Sequence, residues 1–281
     1  MAKVEYEDRV AVITGASSGI GEQMAVDLAR RGVTLCLIAR RKDRLEQTLQ
    51  RVQEHSPKSS MIVGSVGDRE TCERLIAEAL SAHGGIDFLI NNAGIMRHRD
   101  VAELTAEDAE SVMQINFLGT VYPTLAVLPH MIDRGEGWII NMGSGTSHMA
   151  LPLEAIYAAS KHAIRGWSEG LWLDLKARGI SVSVIHPGPI DTEMVEGIAA
   201  TGEPSRLTDG STKLYPPQVV SDALFRVIEG RQFEVSAPPR YGFVYWLHGV
   251  MPGALRRGIF WDAQRAARSD RALRGASGGS S

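Results

Sequence analysis

Cysteine is nearly absent: Cys36 and Cys72 are the only two in 281 residues, which excludes a disulfide framework and a thiolate zinc site. A reducing compartment is the expected setting. A dominant charge sign is lacking too, since 30 Lys and Arg face 33 Asp and Glu, and nothing in that balance would attract a nucleic acid. Long apolar runs are also missing. No uninterrupted stretch approaches the roughly eighteen residues of a bilayer crossing, and MAKVEYEDRV places charges where a secretory signal has its apolar core. A cytoplasmic protein without nucleic-acid partners is expected. Lysine is scarce, six against 24 arginines, so a lysine at a special place is more informative than a recurring arginine.

What is present is enough for a sizeable core, with 44% hydrophobic and 22% charged residues. Short β-branched runs at 10–14, 33–39, 61–66, 88–91, 138–142 and 181–186 alternate with stretches long enough for crossover helices. This pattern predicts an α/β fold with a doubly wound parallel sheet of Rossmann type. Residues 1–239 read as one domain that includes a long Gly/Ser/Thr/Pro-rich lid at 189–217, with one helical turn or two at its apolar start. Residues 240–274 form an apolar, aromatic and then Arg-rich extension, read as helical, and 275–281 a Gly/Ser tail expected to be disordered.

Directly after the first strand, TGASSGIG at 14–21 opens into a helix. Gly15, Gly19 and Gly21 allow a tight turn, close approach of backbone to a pyrophosphate, and close packing of helix on strand, while the helix N-terminus offers unpaired N–H groups to the anion. Ser17, Ser18 and Ile20 complete the turn. The same letters fit the G-x-S-x-G elbow of a hydrolase, with Ser17 as nucleophile. An elbow serine normally follows several strands rather than the first, and Gly21 has no part in an elbow.

Tyr157 and Lys161 stand four apart, on one face of a helix. A neighbouring ammonium favours the phenolate, which would bring the tyrosine toward the working range of an acid/base group. Ser144 follows the run WIINM at a strand's C-terminal end, where ligands bind in doubly wound sheets.

TGASSGIG at 14–21, NNAG at 91–94, Ser144, YAASK at 157–161 and PG at 187–188 appear in the order and spacing of the short-chain dehydrogenase/reductase family, which the chain resembles over about residues 8–235. The resemblance implies catalytic roles for Asn116, Ser144, Tyr157 and Lys161. It gives Asn116 a backbone-bound water that connects Lys161 to solvent, and Lys161 a hold on the nicotinamide ribose. Asn92, Ala93 and Gly94 would flank the adenosine ribose. Pro187, Gly188, Ile190 and Thr192 would hold the nicotinamide carboxamide. The family more often has serine where Gly143 stands, and an adenine-binding Asp where this chain reads Gly64-Ser65-Val66; Ser65 and Val66 take that place. The resemblance also implies a homo-oligomer, dimer or tetramer.

The second strand ends at Ala39-Arg40-Arg41, without the acidic residue that would bind both ribose hydroxyls of NAD. Arg40 and Arg41 can pair a 2′-phosphate, so NADP(H) is expected over NAD(H). Met149, Leu151, Leu153 and Met194 suggest an apolar wall and a hydrophobic carbonyl or alcohol substrate. The resulting expectation is an NADP(H)-dependent carbonyl reductase or alcohol dehydrogenase, with a nucleotide sensor lacking turnover as the alternative. For the extension, three readings stand: packing over the pocket or a subunit interface, contact with an anionic membrane surface, or a solvated helix.

Overall fold

Strands covered on both faces read as nearly continuous apolar runs, and the central strands of this protein do so. The computed structural model describes residues 4–203, 205–262 and 264. In chain order the elements are β1 Val10–Thr14, α1 Gly19–Ala29, β2 Thr34–Ala39, α2 Lys42–Gln53, β3 Ser60–Val63, α3 Arg69–His83, β4 Phe88–Asn91, α4 Ala106–Val112, α5 Gly119–Arg134, β5 Gly137–Met142, α6 Ala155–Leu175, β6 Ile180–Pro187, α7 Glu193–Ala200, α8 Gln218–Gly230, β7 Glu234–Ala237 and α9 Tyr241–Val250. The seven strands pair in parallel in the order β3-β2-β1-β4-β5-β6-β7. The doubly wound parallel sheet read from the sequence is therefore the observed one.

Side chains alternate across each strand and divide the core into two layers. Ala11, Ile13, Leu35, Leu37, Phe88, Ile90, Trp138 and Ile140 belong to the layer that also takes in residues of α1, α2 and α8. Val12, Cys36, Ile38, Leu89 and Ile139 belong to the other, with residues of α3, α5 and α6. The sequence of crossovers reverses between β1 and β4, so the carboxyl ends of these strands open the crevice in which doubly wound sheets bind their ligands.

Three features depart from expectation. β7 was not foreseen, because EVSA at 234–237 is only half-buried and has no apolar run. β3 stops at Val63, and Gly64, Ser65 and Val66 turn away from the sheet toward α3. Residues 106–134 form one continuous helix, α4 and α5 joined by the π-helical turn Met113–Leu118. By length and composition alone this helix could cross a membrane; here it contributes Val127 and Met131 to the second core layer. Within residues 189–217, Glu193–Ala200 form α7, about two helical turns. The extension is helical in α9 and again over 252–262, whereas residues 265–281, with Arg265 to Arg274 and the Gly/Ser tail, lie outside the described residues.

Candidate active site

Strand ends and helix starts bring the expected residues together at the carboxyl end of the sheet. Gly15 and Gly19 adopt φ +68 and +57, and a Cβ on Gly15 would lie 2.7 Å from the Ala93 backbone. At Gly21 it would lie 2.3 Å from the Gly15 carbonyl oxygen, so this turn tolerates no side chain. Thr14 Oγ1 accepts from the backbone N–H groups of Asn92 and Ala93, and the Asn92 amide donates to the Thr14 and Gly15 carbonyls. The glycine turn and the NNAG strand end are thus one unit. Ser18 stands at the N-cap of α1 without a side-chain cap bond, and the first N–H groups of the helix face the turn. Arg41 reaches over it, donating to Ser18 Oγ at 2.7 Å and Ser17 Oγ at 3.3 Å, while it pairs with Glu193 of α7. Arg40 is exposed at the end of β2. The crowded glycines, the uncapped helix start and the arginine suit a dinucleotide's phosphates.

Asn116 is fully buried in the π-helical turn. Its amide donates to the Ile95 carbonyl and to Ser160 Oγ, both at 2.9 Å, and its oxygen accepts from Ile95 N at 2.7 Å. Asn116 therefore ties the segment after NNAG to α6. Lys161, also on α6, donates from Nζ to the Met142 carbonyl at 2.9 Å and lies 5.6 Å from the centre of the Tyr157 ring. Gly94 completes the group, since a Cβ there would stand 3.4 Å from Asn116 Oδ1 and 3.6 Å from Lys161 Nζ. Ser144 caps the turn Gly145–Ser147: its Oγ accepts from Thr146 N, and its N–H donates to Ser147 Oγ. The same hydroxyl hydrogen-bonds the Tyr157 phenol.

Pro187 ends β6, paired with Ala237, and Gly188 follows it against Tyr241 of α9, with its N–H on the Ala237 carbonyl. Ile190 bridges to Tyr215, and Thr192 stands at the N-cap position of α7, without a side-chain cap bond, beside Gly19. Ser65 Oγ accepts from Gly67 N, and Val66 is buried under Gly119. Met149, Leu151 and Leu153 are half-buried between β5 and α6, and Met194 is half-buried on α7.

The model of the family described as short chain dehydrogenase matches residues 9–202. The chain belongs to the short-chain dehydrogenase family. This dehydrogenase is 33% identical over 255 residues to "11-beta-hydroxysteroid dehydrogenase-like 3" of Arabidopsis thaliana, covering 89% of this chain and 80% of that one. It is 36% identical over 194 residues to an uncharacterized oxidoreductase of Staphylococcus saprophyticus, covering 68% and 82%. Among solved structures, a short chain dehydrogenase/reductase from Burkholderia phymatum in complex with NAD superposes with TM-score 0.80 over 90% of this chain and 96% of that one, at 24% identity. An alcohol dehydrogenase from the archaeon Thermococcus sibiricus, complexed with 5-hydroxy-NADP, gives TM-score 0.71 at 26% identity, covering 81% and 95%.

The electrostatics of the dehydrogenase's site correct one expectation. Burial raises Tyr157 well above the ordinary phenol range, Glu154 adds to the rise, and the Ser144 hydrogen bond opposes it. Lys161 does not bring the phenol down. Buried itself, the lysine is lowered to about 8, and its Nζ is turned to the Met142 carbonyl. Glu154, one turn before Tyr157, is the residue sequence reasoning missed: burial raises its carboxyl to about 7, and its Oε1 lies 4.0 Å from Nδ1 of buried His98. A second unforeseen group is Tyr245 of α9, whose hydroxyl sits where a side chain on Gly145 would, 2.5 Å from the Cβ position. A tyrosine in an aromatic run gives no sign of reaching the Ser144 turn.

Proposed function

We propose that this dehydrogenase uses NADP(H) to interconvert a carbonyl and a secondary alcohol on a hydrophobic small molecule, with Tyr157 as the general acid/base. A bound nicotinamide supplies or receives the hydride. The observation that carries the reading is the buried, protonated Tyr157 phenol held by Ser144, with Lys161 one helical turn further on. In the reductive direction Tyr157 gives its proton to the substrate oxygen as hydride arrives at the carbon, and Ser144 Oγ donates a hydrogen bond to that oxygen. The phenolate left behind lies near Lys161, whose depressed pKa makes it a ready proton source. Water in contact with Asn116 then reprotonates Lys161.

Preference for NADP(H) is supported by the missing acidic residue after β2 and by Arg41 over the phosphate turn. Arg40 stands beside it, and Met149, Leu151, Leu153 and Met194 supply the apolar wall. The test is a panel of hydrophobic ketones and aldehydes with NADPH and with NADH, the reduced nucleotide followed by absorbance. Turnover with NADPH that Tyr157→Phe lowers by about 100-fold or more, with NADPH still bound, is expected. Tight binding of NADPH without turnover on any carbonyl would replace the enzyme with a sensor.

A further inference from the structure

His148, His186 and Glu234 come from three separate stretches: the segment after β5, the end of β6 and the start of β7. Their ligand-type atoms lie within 4.8 Å of one another, and the hydride transfer uses none of them. Glu234 Oε1 is the meeting point, 2.7 Å from His186 Nε2 and 3.3 Å from His148 Nε2.

Hydrogen-bond arithmetic requires a proton or a metal ion between His186 and Glu234. His186 Nδ1 stands 3.0 Å from the Ser144 carbonyl oxygen, which can only accept, so Nδ1 carries the ring hydrogen. Nε2 of the neutral ring then turns a lone pair toward a carboxylate oxygen 2.7 Å away. Two lone pairs at that distance repel unless a proton or a metal ion lies between them. Nε2 of His148 is buried, and despite its approach to Oε1 it meets no hydrogen-bond geometry. Tyr245 stacks on the His148 ring at 4.7 Å and 8°, which fixes the plane in which that nitrogen points.

We propose that His148, His186 and Glu234 form a binding site for a divalent transition-metal ion, zinc by ligand preference, tying the Ser144 turn to the β6–β7 edge of the sheet. Two imidazoles and a carboxylate are a familiar zinc set with one position left open. Tetrahedral zinc, with bonds near 2.0–2.1 Å, sets its ligand atoms about 3.3 Å apart. The His148 to Glu234 separation already has that value, and the His186 to Glu234 separation must open by about 0.6 Å. The bond from His186 Nδ1 to the Ser144 carbonyl is the outer-shell hydrogen bond that orients a metal-binding histidine. Arg165 is the competitor, donating from Nε to the same Oε1 at 2.8 Å with Nη2 3.5 Å from Oε2. On loading, Arg165 keeps Oε2 and yields Oε1 to the metal.

The test uses the full-length protein, stripped with a chelator and titrated with zinc against a chromogenic indicator, and with cobalt, whose visible absorption reports coordination number. One equivalent of bound zinc, a higher Tm with zinc and a four-coordinate cobalt spectrum are expected. His148→Gln, a change in a half-buried ring, removes the stoichiometric step. Arg165→Gln tightens it by relieving competition, and His55→Gln on the exposed surface leaves it intact. NADPH binding by each variant reports that the fold survives. Absence of a saturable zinc step in the intact protein overturns the proposal, as does a step that persists in His148→Gln.

Discussion

A phenol donates a proton only while it holds one, and at Tyr157 burial and Glu154 both act to keep it there. Glu154, like Lys161, is displaced toward neutral pH by burial. Its folded pKa of about 7 lies above its ordinary 4.5, so the folded chain binds the extra proton between those values, and the associated stability is lost as pH rises through about 7. Glu154→Gln should therefore stabilise the protein by up to about 3 kcal/mol near pH 8 and by little near pH 4. Denaturant midpoints at the two pH values check this, and a gain of equal size at both would contradict it. Arg41 allows a second expectation. Arg41→Ala should raise the apparent constant for NADPH by about 10- to 100-fold, the worth of a charged hydrogen bond of roughly 1.5–3 kcal/mol, and change that for NADH little. Arg40→Ala serves as the comparison, and equal losses for both nucleotides would mean that the arginines act through structure. At this scale the Tyr157–Lys161 spacing and the glycine turn were legible, because each is a local pattern with a physical reason. Glu154 was not, since a lone glutamate before a helix reads as solvated, and only the packing of His98 and Tyr157 around it makes it unusual.

Elements enter the site through their ends and irregularities. The helix Ala106–Arg134 widens into a π turn at Met113–Leu118, and the one fully buried polar residue of that turn, Asn116, binds both backbone groups of Ile95. Irregular turns of this kind inside helices are often functional. Asn116→Ala leaves Ile95 N–H, its carbonyl and Ser160 short of a partner, and should cost about 2–4 kcal/mol of stability together with most of the turnover. Thermal unfolding and kcat measure the two effects, and an unchanged midpoint would show that the turn does not depend on these bonds. The strands were readable from apolar runs wherever both faces are covered. β7 lacks that signature because Glu234 points into the cluster of His148, His186 and Arg165 rather than into an apolar layer. Despite burial its carboxyl is held far below the usual range, with the Arg165 guanidinium that donates to Oε1 among the causes. Val235 and Ala237 alternate with Glu234 and Ser236 and join the first core layer, but two apolar residues are too short a trace to read as a strand.

For the whole molecule the open question in the sequence was the extension after residue 239, and α9 has two distinct faces. Tyr241 and Tyr245 turn inward, against Gly188 and Gly145, beside the Ser144 turn. Phe243, Trp246, Val250 and Met251 are exposed, as are Phe260 and Trp261 in the helical run that follows. The inner face fits the reading in which the extension packs beside the pocket. The outer face is an apolar patch that is costly to leave in water and suits a contact between copies of this chain. Arg256 and Arg257 lie in the same run, and the remaining arginines of 256–274 lie outside the described residues. Deleting residues 240–281 removes both faces. Activity toward bulky hydrophobic ketones should then fall by about tenfold or more in kcat/KM as an aromatic wall is lost. A homo-oligomer held by the outer face should also dissociate. NADPH binding should persist, because the glycine turn, Asn92 and Arg41 all belong to β1, β2 and β4 and their following turns. Steady-state kinetics, sedimentation and nucleotide titration of the shortened chain measure these separately. If kinetics and assembly are unchanged, and only the intact protein pellets with anionic liposomes, then the aromatic and arginine residues serve a membrane surface instead.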